Sequence, residues 1–410
     1  MSVETIFLFI YIRKIFPSPK SEKILRSQMF WWCDKNTRIS DEIFYFTLHN
    51  FFLDYDNNSR MTMLTRRTSL PLLYYCASSI TPVSAFSMKM SSSITNTDRI
   101  HGQTLVSIPE AIALLSDNSS VKFIDGSWWL GGERDGRTEF ENGPRITDAR
   151  FLDIDDISTK TPDNLPHMMP SALLQSAAMD AMGIDKNDHV VVYGGKDCMF
   201  ITRAYWQMKI THPIGKCHLL DGSLQDWIDG GGPIEAKGTT PAYPVVDSEN
   251  LIDEKKTIYE ATSPQNAVVD MDELKSLIAE GKTVDKDSGV LVVDARSPAR
   301  FSGEAEEPRP GLRRGHMPGA KNLFFLDLLD PDNKNKFKSK EELQRIIQDA
   351  GIDLPLLPGS KIISSCGSGV TACTILTALD IIGEDPSHSY LYDGAFAEWG
   401  GQPDTPIVTH

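Results

Sequence analysis

The sequence predicts an α/β protein with two tandem domains, each a parallel sheet flanked by helices. Three observations lead to this class: a motif that occurs twice at matched spacing, an apolar strand ending in Asp at the start of each copy, and a second buried strand in each copy that runs into a helical pattern. The length of 410 residues also fits two to three domains of about 150 residues.

The duplicated motif is an Asp-Gly pair followed by Trp and a Gly-Gly turn. Residues 220–222 (Leu-Asp-Gly) precede Trp227 in the first copy, and residues 392–394 (Tyr-Asp-Gly) precede Trp399 in the second. The spacing from Asp to Trp is six residues in both copies. Such agreement indicates an internal repeat, and therefore two domains of one architecture.

The strands predicted for each copy have the composition of a buried parallel sheet. Residues 123–125 and 291–294 are apolar runs that end in Asp, and residues 189–193 and 361–365 form the second strands. Each second strand passes through a Gly-containing turn into a helical pattern, which is typical of the βα unit of a parallel sheet. We expect domains at residues 100–238 and 267–410, joined by a Pro-containing linker at 239–266.

Residues 1–97 are predicted to form a disordered targeting extension. From Met61 onward this extension contains no acidic residue, and an Arg-Arg pair, an apolar stretch and the small residues 83–85 follow in turn. This composition is typical of a segment that directs a protein to a mitochondrion or plastid. We predict that Met61 or Met63 starts the natural chain and that residues 1–60 are a gene-model extension. An ordinary flexible tail on a cytoplasmic protein is the alternative.

Composition and charge disfavour several classes of function. The 56 acidic and 41 basic residues give a net charge of −15, which disfavours binding to nucleic acid or to anionic lipid. No apolar run approaches the ~20 residues that span a bilayer. The six cysteines form no Cys-x-x-Cys pair, so neither a disulfide scaffold nor a structural zinc site is expected. We expect no metal and no organic cofactor.

The two copies differ at one loop. Counting back 27 residues from the Asp of the repeated motif reaches Cys366 in the second copy and Gly194 in the first. The loop in the second copy reads Cys366-Gly367-Ser368-Gly369-Val370-Thr371-Ala372. Its glycines allow successive backbone N–H groups to converge on an anion at a helix N-terminus. Such a cradle favours a thiolate, so Cys366 is the predicted nucleophile; a buried structural cysteine is the alternative.

Two enzyme classes use a thiolate in a cradle of amides. A cysteine-dependent phosphatase needs an Arg six residues after its Cys to hold the phosphate oxygens, and Ala372 occupies that position here. A smaller cradle without Arg suits a thiolate that carries one additional sulfur atom as a persulfide. The sequence therefore favours sulfur transfer.

The chain resembles the two-domain rhodanese family, the thiosulfate and 3-mercaptopyruvate sulfurtransferases, over about residues 105–405. The Cys366 loop is similar to the mercaptopyruvate type, whereas thiosulfate-type members carry two basic residues after the Cys. Further matches are residues 315–320 (Gly-His-Met-Pro-Gly-Ala), residues 165–170 (Leu-Pro-His-Met-Met-Pro) and the two Asp-Gly-to-Trp segments.

This resemblance implies a ping-pong reaction. Cys366 takes the sulfur of 3-mercaptopyruvate, or of thiosulfate, as a persulfide, and pyruvate leaves when mercaptopyruvate is the donor. The outer sulfur then passes to a thiol such as thioredoxin or glutathione, or to cyanide.

The resemblance also implies the substrate-binding residues. Arg296 matches an Arg that binds the substrate carboxylate, and Arg309 and Arg300 are further candidates. Bidentate pairing with a carboxylate explains the choice of Arg over Lys. Salt bridges to nearby acids are the alternative role for each of them.

Further site residues come from the loop and from the first domain. Ser368 is a predicted catalytic hydroxyl, and Asp135 matches the region of a first-domain Asp. Arg145 stands where the family has a His, so it is a candidate anion contact. The remaining predicted substrate contacts are the other members of the loop, Gly367, Gly369, Val370 and Thr371.

Three functions are compatible with the sequence. The favoured one is a mercaptopyruvate-preferring sulfurtransferase, and the second is a thiosulfate-preferring one. The third is a non-catalytic module of the same fold that carries persulfide or docks a partner; the complete Cys366 loop disfavours it. We expect a monomer.

Overall fold

The computed structural model describes the backbone of two short strands near residue 60 and most of the chain from residue 96. The described ranges are 96–116, 120–243, 245–246, 251, 257–285 and 287–409. The chain divides into two units, Met1–Lys89 and Met90–His410. In the first unit, β1 (Asp54–Tyr55) pairs antiparallel with β2 (Met61–Thr62). Otherwise the predicted targeting segment lies outside the described residues.

The first half of the second unit contains a five-stranded parallel sheet. In chain order its strands and those of a small accessory sheet are β3 (Leu105–Val106), β4 (Val121–Asp125), β5 (Arg145–Ile146), β6 (Arg150–Phe151), β7 (His189–Tyr193), β8 (Cys217–Leu220) and β9 (Ile234–Glu235). The main sheet has the order β3-β8-β7-β4-β6, and β5 pairs antiparallel with β9.

The second half contains another five-stranded parallel sheet. Its strands are β10 (Val268–Val269), β11 (Val290–Asp294), β12 (Lys321–Asn322), β13 (Lys361–Ser365) and β14 (Ser389–Tyr392). The order β10-β14-β13-β11-β12 corresponds strand for strand to that of the first sheet. The predicted α/β class with two tandem parallel sheets is confirmed. The domain boundaries and the linker at 239–266 stay predictions.

Helices connect the strands. They are α1 (Asn96–Ile100), α2 (Ile108–Ser116), α3 (Gly136–Asn142), α4 (Ala172–Ala181), α5 (Thr202–Thr211), α6 (Leu224–Asp229), α7 (Met271–Ala279), α8 (Pro298–Ser302), α9 (Lys340–Asp349), α10 (Ala372–Ile382) and α11 (Ala395–Trp399), with 3-10 turns at Pro264–Ala267, Phe325–Leu328 and Pro386–His388. Ser223 and Ser339 begin α6 and α9 with capping boxes, because each hydroxyl accepts an N–H and an acid three residues on accepts the serine N–H. No helix among the described residues is long and apolar enough to cross a membrane.

The repeated motif has the same structural role in both halves. Trp227 and Trp399 are fully buried, and their indole N–H groups donate to the carbonyl oxygens of Pro233 at 3.1 Å and Pro406 at 2.9 Å. Because a buried indole N–H needs an acceptor, each Trp holds the chain that follows its Gly-Gly turn. The two tryptophans are therefore fold determinants.

The two halves of the second unit pack through α5 and α10. The hydroxyls of Thr202 and Thr374 are 2.9 Å apart between these helices. At the other end of α10, Asp380 accepts hydrogen bonds from Thr104 at 2.6 Å and from the Tyr205 hydroxyl at 2.9 Å, and it forms an ion pair with Lys209. Helix α5 and Thr104, the residue before β3, thus hold α10, the helix that follows the Cys366 loop.

Candidate active site

The Cys366 loop joins strand β13 to helix α10. Cys366 comes directly after the strand and is 2% exposed. Gly369 adopts a φ of +79°, which disfavours other residues, and a Cβ there would lie 3.0 Å from the carbonyl oxygen of Asp393. The turn therefore requires glycine, and it delivers the thiol to the N-terminal end of α10.

The first carbonyl groups of this loop accept hydrogen bonds, whereas its N–H groups have no protein acceptor among the described residues. Phe396 N–H donates to the carbonyl of Cys366 at 2.9 Å, and Ala397 N–H donates to that of Gly367 at 2.9 Å. Within the described part of the chain, the N–H groups of residues 367–371 donate to no protein acceptor. The loop thus satisfies its first two carbonyls and leaves five successive donors without a protein acceptor, as an anion cradle requires; the cradle itself stays a prediction.

Side chains of the predicted loop contacts differ in their surroundings. The Ser368 hydroxyl is partly exposed and makes no hydrogen bond to a described residue, so it can reach a substrate. Val370 is buried in the apolar core of the first half, and Thr371 is the N-cap residue of α10. Gly367, Gly369, Val370 and Thr371 can therefore contribute their amides rather than side-chain contacts.

Arg300 and Arg309 stay the predicted contacts of an anionic donor. Arg300 lies against the loop, because a Cβ on Gly367 would be 2.9 Å from its Nη2 atom. It is oriented by Glu307, with a 3.1 Å bond from Nε and a 2.5 Å bond from Nη2, and about a quarter of its side chain is exposed. Arg309 is partly exposed and has no ion pair or hydrogen bond among the described residues.

Arg296 is placed differently from the sequence-based expectation. It is 2% exposed, and its guanidinium pairs with Asp294 at 2.6 Å and Glu307 at 2.8 Å and donates to the Gly315 carbonyl at 2.9 Å. The guanidinium carbon also lies 3.6 Å from the centre of the Phe396 ring. With two carboxylates and an aromatic face around it, Arg296 stabilises the fold and orients Glu307. These contacts disfavour binding of the substrate carboxylate by Arg296, which stays a prediction.

The first-domain candidates are also structural. Arg145 is fully buried, donates to the carbonyls of Phe140 at 2.8 Å and Thr239 at 2.7 Å, and pairs with Glu235 at 2.6 Å. It therefore joins β5 to β9, and these contacts disfavour its predicted role as an anion contact.

Asp135 is the N-cap residue of α3. It accepts the Thr138 N–H at 2.6 Å, and the hydrogen bonds from Thr138 lower its pKa. Capping, rather than substrate binding, accounts for this carboxylate.

The other thiols of the described chain are poor nucleophiles. Burial raises the pKa of Cys198 to about 11 and that of Cys373 to about 12, and it raises the pKa of Cys217 as well. Cys373 donates its S–H to the Gly369 carbonyl at 3.3 Å, so it supports the loop. Because the thiolate is the reactive form, Cys366 is the favoured nucleophile.

One residue that the sequence analysis missed contacts the loop from the first half of the unit. Arg203 on α5 is 1% exposed, pairs with Asp393 at 2.9 Å and donates to the Gly369 carbonyl at 3.4 Å. Asp393 in turn accepts the Met169 N–H at 2.6 Å. A buried ion pair between the two halves thus supports the turn at Gly369. No pattern in α5 singles Arg203 out, because the helix also contains Gln207 and Lys209.

Comparisons with known proteins identify the family of this chain. The rhodanese-like domain family matches residues 270–402. Mitochondrial thiosulfate/3-mercaptopyruvate sulfurtransferase 1 of Arabidopsis thaliana is 33% identical over 70% of this chain and 73% of its own length. The 3-mercaptopyruvate sulfurtransferase of Escherichia coli K12 is 32% identical over 71% and 93%. The crystal structure of Tum1 from Saccharomyces cerevisiae has a TM-score of 0.62 and 29% identity, covering 75% of this chain and 98% of that one.

Two parallel sheets of one order and a cysteine in an amide cradle define a sulfurtransferase, an enzyme that moves sulfur from a donor to an acceptor. The chain belongs to the two-domain rhodanese family of thiosulfate and 3-mercaptopyruvate sulfurtransferases.

Proposed function

We infer that this enzyme takes the sulfur of 3-mercaptopyruvate on Cys366 and passes it to a thiol such as thioredoxin or glutathione, or to cyanide. The observation that carries this is the cradle of five available N–H groups, residues 367–371, beside a cysteine at a strand end. Such donors stabilise the thiolate before the reaction and the charged sulfur after it.

The first displacement balances with the groups at this site. The Cys366 thiolate attacks the donor sulfur, the carbon–sulfur bond breaks, and its electron pair leaves on pyruvate as the enolate, which takes a proton from solvent. Arg309 and Arg300 bind the carboxylate, and Ser368 offers its hydroxyl to the substrate. In the second step the acceptor thiolate attacks the outer sulfur and restores Cys366.

Mercaptopyruvate is preferred to thiosulfate because the loop has no basic side chain. Ser368 and Val370 offer no positive charge to thiosulfate, while Arg300, on α8, lies against Gly367, where a carboxylate can bind. Thiosulfate is the second candidate donor, and two of the relatives carry both donors in their names.

An organellar location, mitochondrial or plastid, is part of the proposal. It rests on the acid-free segment from Met61 and on the mitochondrial relative from A. thaliana. We propose translation from Met61 or Met63. A peptide from residues 1–60 detected in the native protein would contradict that start.

The test is to incubate the purified full chain with either donor, without acceptor, and to measure its intact mass. We expect one added sulfur from 3-mercaptopyruvate and little from thiosulfate, because the intermediate accumulates when the second substrate is withheld. Cys366→Ser should abolish the gain and pyruvate release, and Cys198→Ser is the matched control that keeps both. Labelling by thiosulfate alone favours the second candidate, and no labelling by either donor favours a binding module.

A further inference from the structure

The first half of the second unit contains a cavity at the carboxyl end of its parallel sheet. Its volume is about 490 Å³, within the size range of small-molecule sites. The residues that line it include Asp125, Ser127, Pro144, Lys196, Leu224 and Lys237.

This cavity is the counterpart of the space that Arg296 occupies in the other half. Ser127 N–H donates to the Asp125 carboxylate at 2.9 Å, as Arg296 N–H donates to Asp294 at 3.0 Å. Ser127 therefore takes the position of Arg296 after an equivalent strand, with a side chain too short to fill the same volume.

The walls correspond as well. Leu224 N–H donates to the Gly194 carbonyl at 2.8 Å, as Phe396 N–H donates to the Cys366 carbonyl at 2.9 Å. Leu224 thus takes the place of the ring under the Arg296 guanidinium. Pro144 corresponds to Gly315, because each comes directly before an antiparallel pairing. Pro144 precedes β5, which pairs with β9, and Gly315 precedes His316, which makes a bridge to Val408. The cavity walls are therefore the equivalents of groups that surround a guanidinium in the second half.

The charges around the cavity are separated. Asp125 is 4% exposed and has no ion pair among the described residues, and burial raises its pKa to about 6. Arg134 also lines the cavity, but two 2.7 Å bonds to Glu139 neutralise it. Lys196 and Lys237 are exposed and make no ion pair with a described residue. A buried carboxyl group thus lies inside, and two available cations lie at the rim.

We propose that this cavity binds a small zwitterion whose guanidinium or ammonium group pairs with Asp125 and whose carboxylate contacts Lys196 and Lys237. The cationic group takes the position that the Arg296 guanidinium has in the other half. A bound cation supplies Asp125 with the counter-charge that Asp294 receives from its own chain. This site is separate from the sulfur-transfer site and does not depend on the donor proposed above.

The test uses the full-length protein and isothermal titration calorimetry with L-arginine, agmatine (which lacks the carboxylate) and L-glutamate as probes. We expect saturable binding of one arginine, weaker binding of agmatine, and none of glutamate. Binding should weaken as the pH falls from 8 to 5, because the Asp125 carboxylate must be ionised to hold a cation.

Three variants assign the contacts. Asp125→Asn should weaken arginine binding by about tenfold to hundredfold, the loss expected for a charged hydrogen bond. Ser127→Arg should abolish it, because the new side chain fills the cavity as Arg296 does in the other half. The double variant Lys196→Ala, Lys237→Ala should weaken arginine and leave agmatine unchanged. All three should still form the Cys366 persulfide, which also shows that they are folded.

Two results overturn the proposal. One is the absence of saturable arginine binding to the wild-type protein, and the other is equal binding to the wild type and to Ser127→Arg. Equal affinity for arginine and agmatine would overturn the carboxylate contact with the two lysines. If the wild-type protein forms no persulfide, this result counts against the proposed function alone, because arginine binding is measured independently.

Discussion

The two halves of the second unit share an architecture and differ in their chemistry. Both have the same strand order, and both use a buried Trp to hold the segment after a Gly-Gly turn. At the sheet edge, however, one half has Cys366 and a filled arginine position, and the other has Gly194 and a cavity beside Ser127. The two halves therefore share the Trp of the repeated motif and the Asp that ends β4 and β11, while the residues that follow the strand ends, Ser127 and Arg296 or Gly194 and Cys366, differ.

The active half also depends on the inactive one. Arg203 belongs to the first half, yet it contacts Gly369 and Asp393 of the second. The half without a thiol therefore supports the Cys366 loop. Three experiments test this support and the likeness of the two halves.

The largest effect is expected from Arg203→Met, which removes one partner of the buried ion pair. Because Asp393 would remain buried without a counter-charge, the free energy of unfolding should fall by about 3–5 kcal/mol. Persulfide formation should slow, since Gly369 loses a contact. Urea unfolding and single-turnover mass spectrometry measure the two effects.

The matched control for this variant is Lys209→Met. Lys209 pairs with Asp380 in the same interface, but Asp380 keeps the hydrogen bonds from Thr104 and Tyr205, so a smaller loss than in Arg203→Met is expected. Its persulfide formation should be unchanged. Equal losses of stability and rate in the two variants would contradict a specific role for Arg203.

A smaller effect is expected from Arg309→Gln, which tests the anion contacts of the active half. The KM for 3-mercaptopyruvate should rise by about tenfold to hundredfold, because a charged hydrogen bond to the carboxylate is lost. Arg314→Gln is the control, since Arg314 pairs with the exposed Glu306. An unchanged KM in Arg309→Gln would remove this residue from the site. Arg300→Gln should also raise KM, but it disturbs Glu307 as well.

The smallest effect is expected from Trp227→Phe and Trp399→Phe, which test whether the repeated Trp has the same structural role in both halves. Each variant leaves a proline carbonyl without its donor, so each should lower the free energy of unfolding by about 1–3 kcal/mol. Chemical denaturation of both variants gives the comparison. A large loss in one variant with none in the other would show that the repeated motif has diverged in its structural role.

The sequence predicts the features that depend on local pattern. Apolar strands, the duplicated Trp motif and the glycine-bordered Cys366 each leave a signal within a few residues, and the structure contains them all. The anion cradle follows from the same short segment.

Contacts between distant segments explain why the sequence did not reveal the partners of three arginines. Arg296 follows a strand end, as a substrate ligand would, but its second acid, Glu307, comes eleven residues later in an irregular segment. Arg145 is paired by Glu235 through β5 and β9, which the sequence pattern does not reveal. Arg203 was missed because its partner Asp393 is 190 residues away. Whether a cation is available or neutralised depends on tertiary pairing.

The separation of Arg203 from Asp393 has a consequence for biosynthesis. The ribosome releases the arginine long before its carboxylate partner, so the N-terminal half folds first with a cation that has no counter-charge. Water must solvate that guanidinium until the last parallel strand, Ser389–Tyr392, has been translated and Asp393 follows it. A nascent chain arrested before this strand should therefore keep Arg203 solvated, and the buried ion pair that supports Gly369 should form only after Asp393 has been translated.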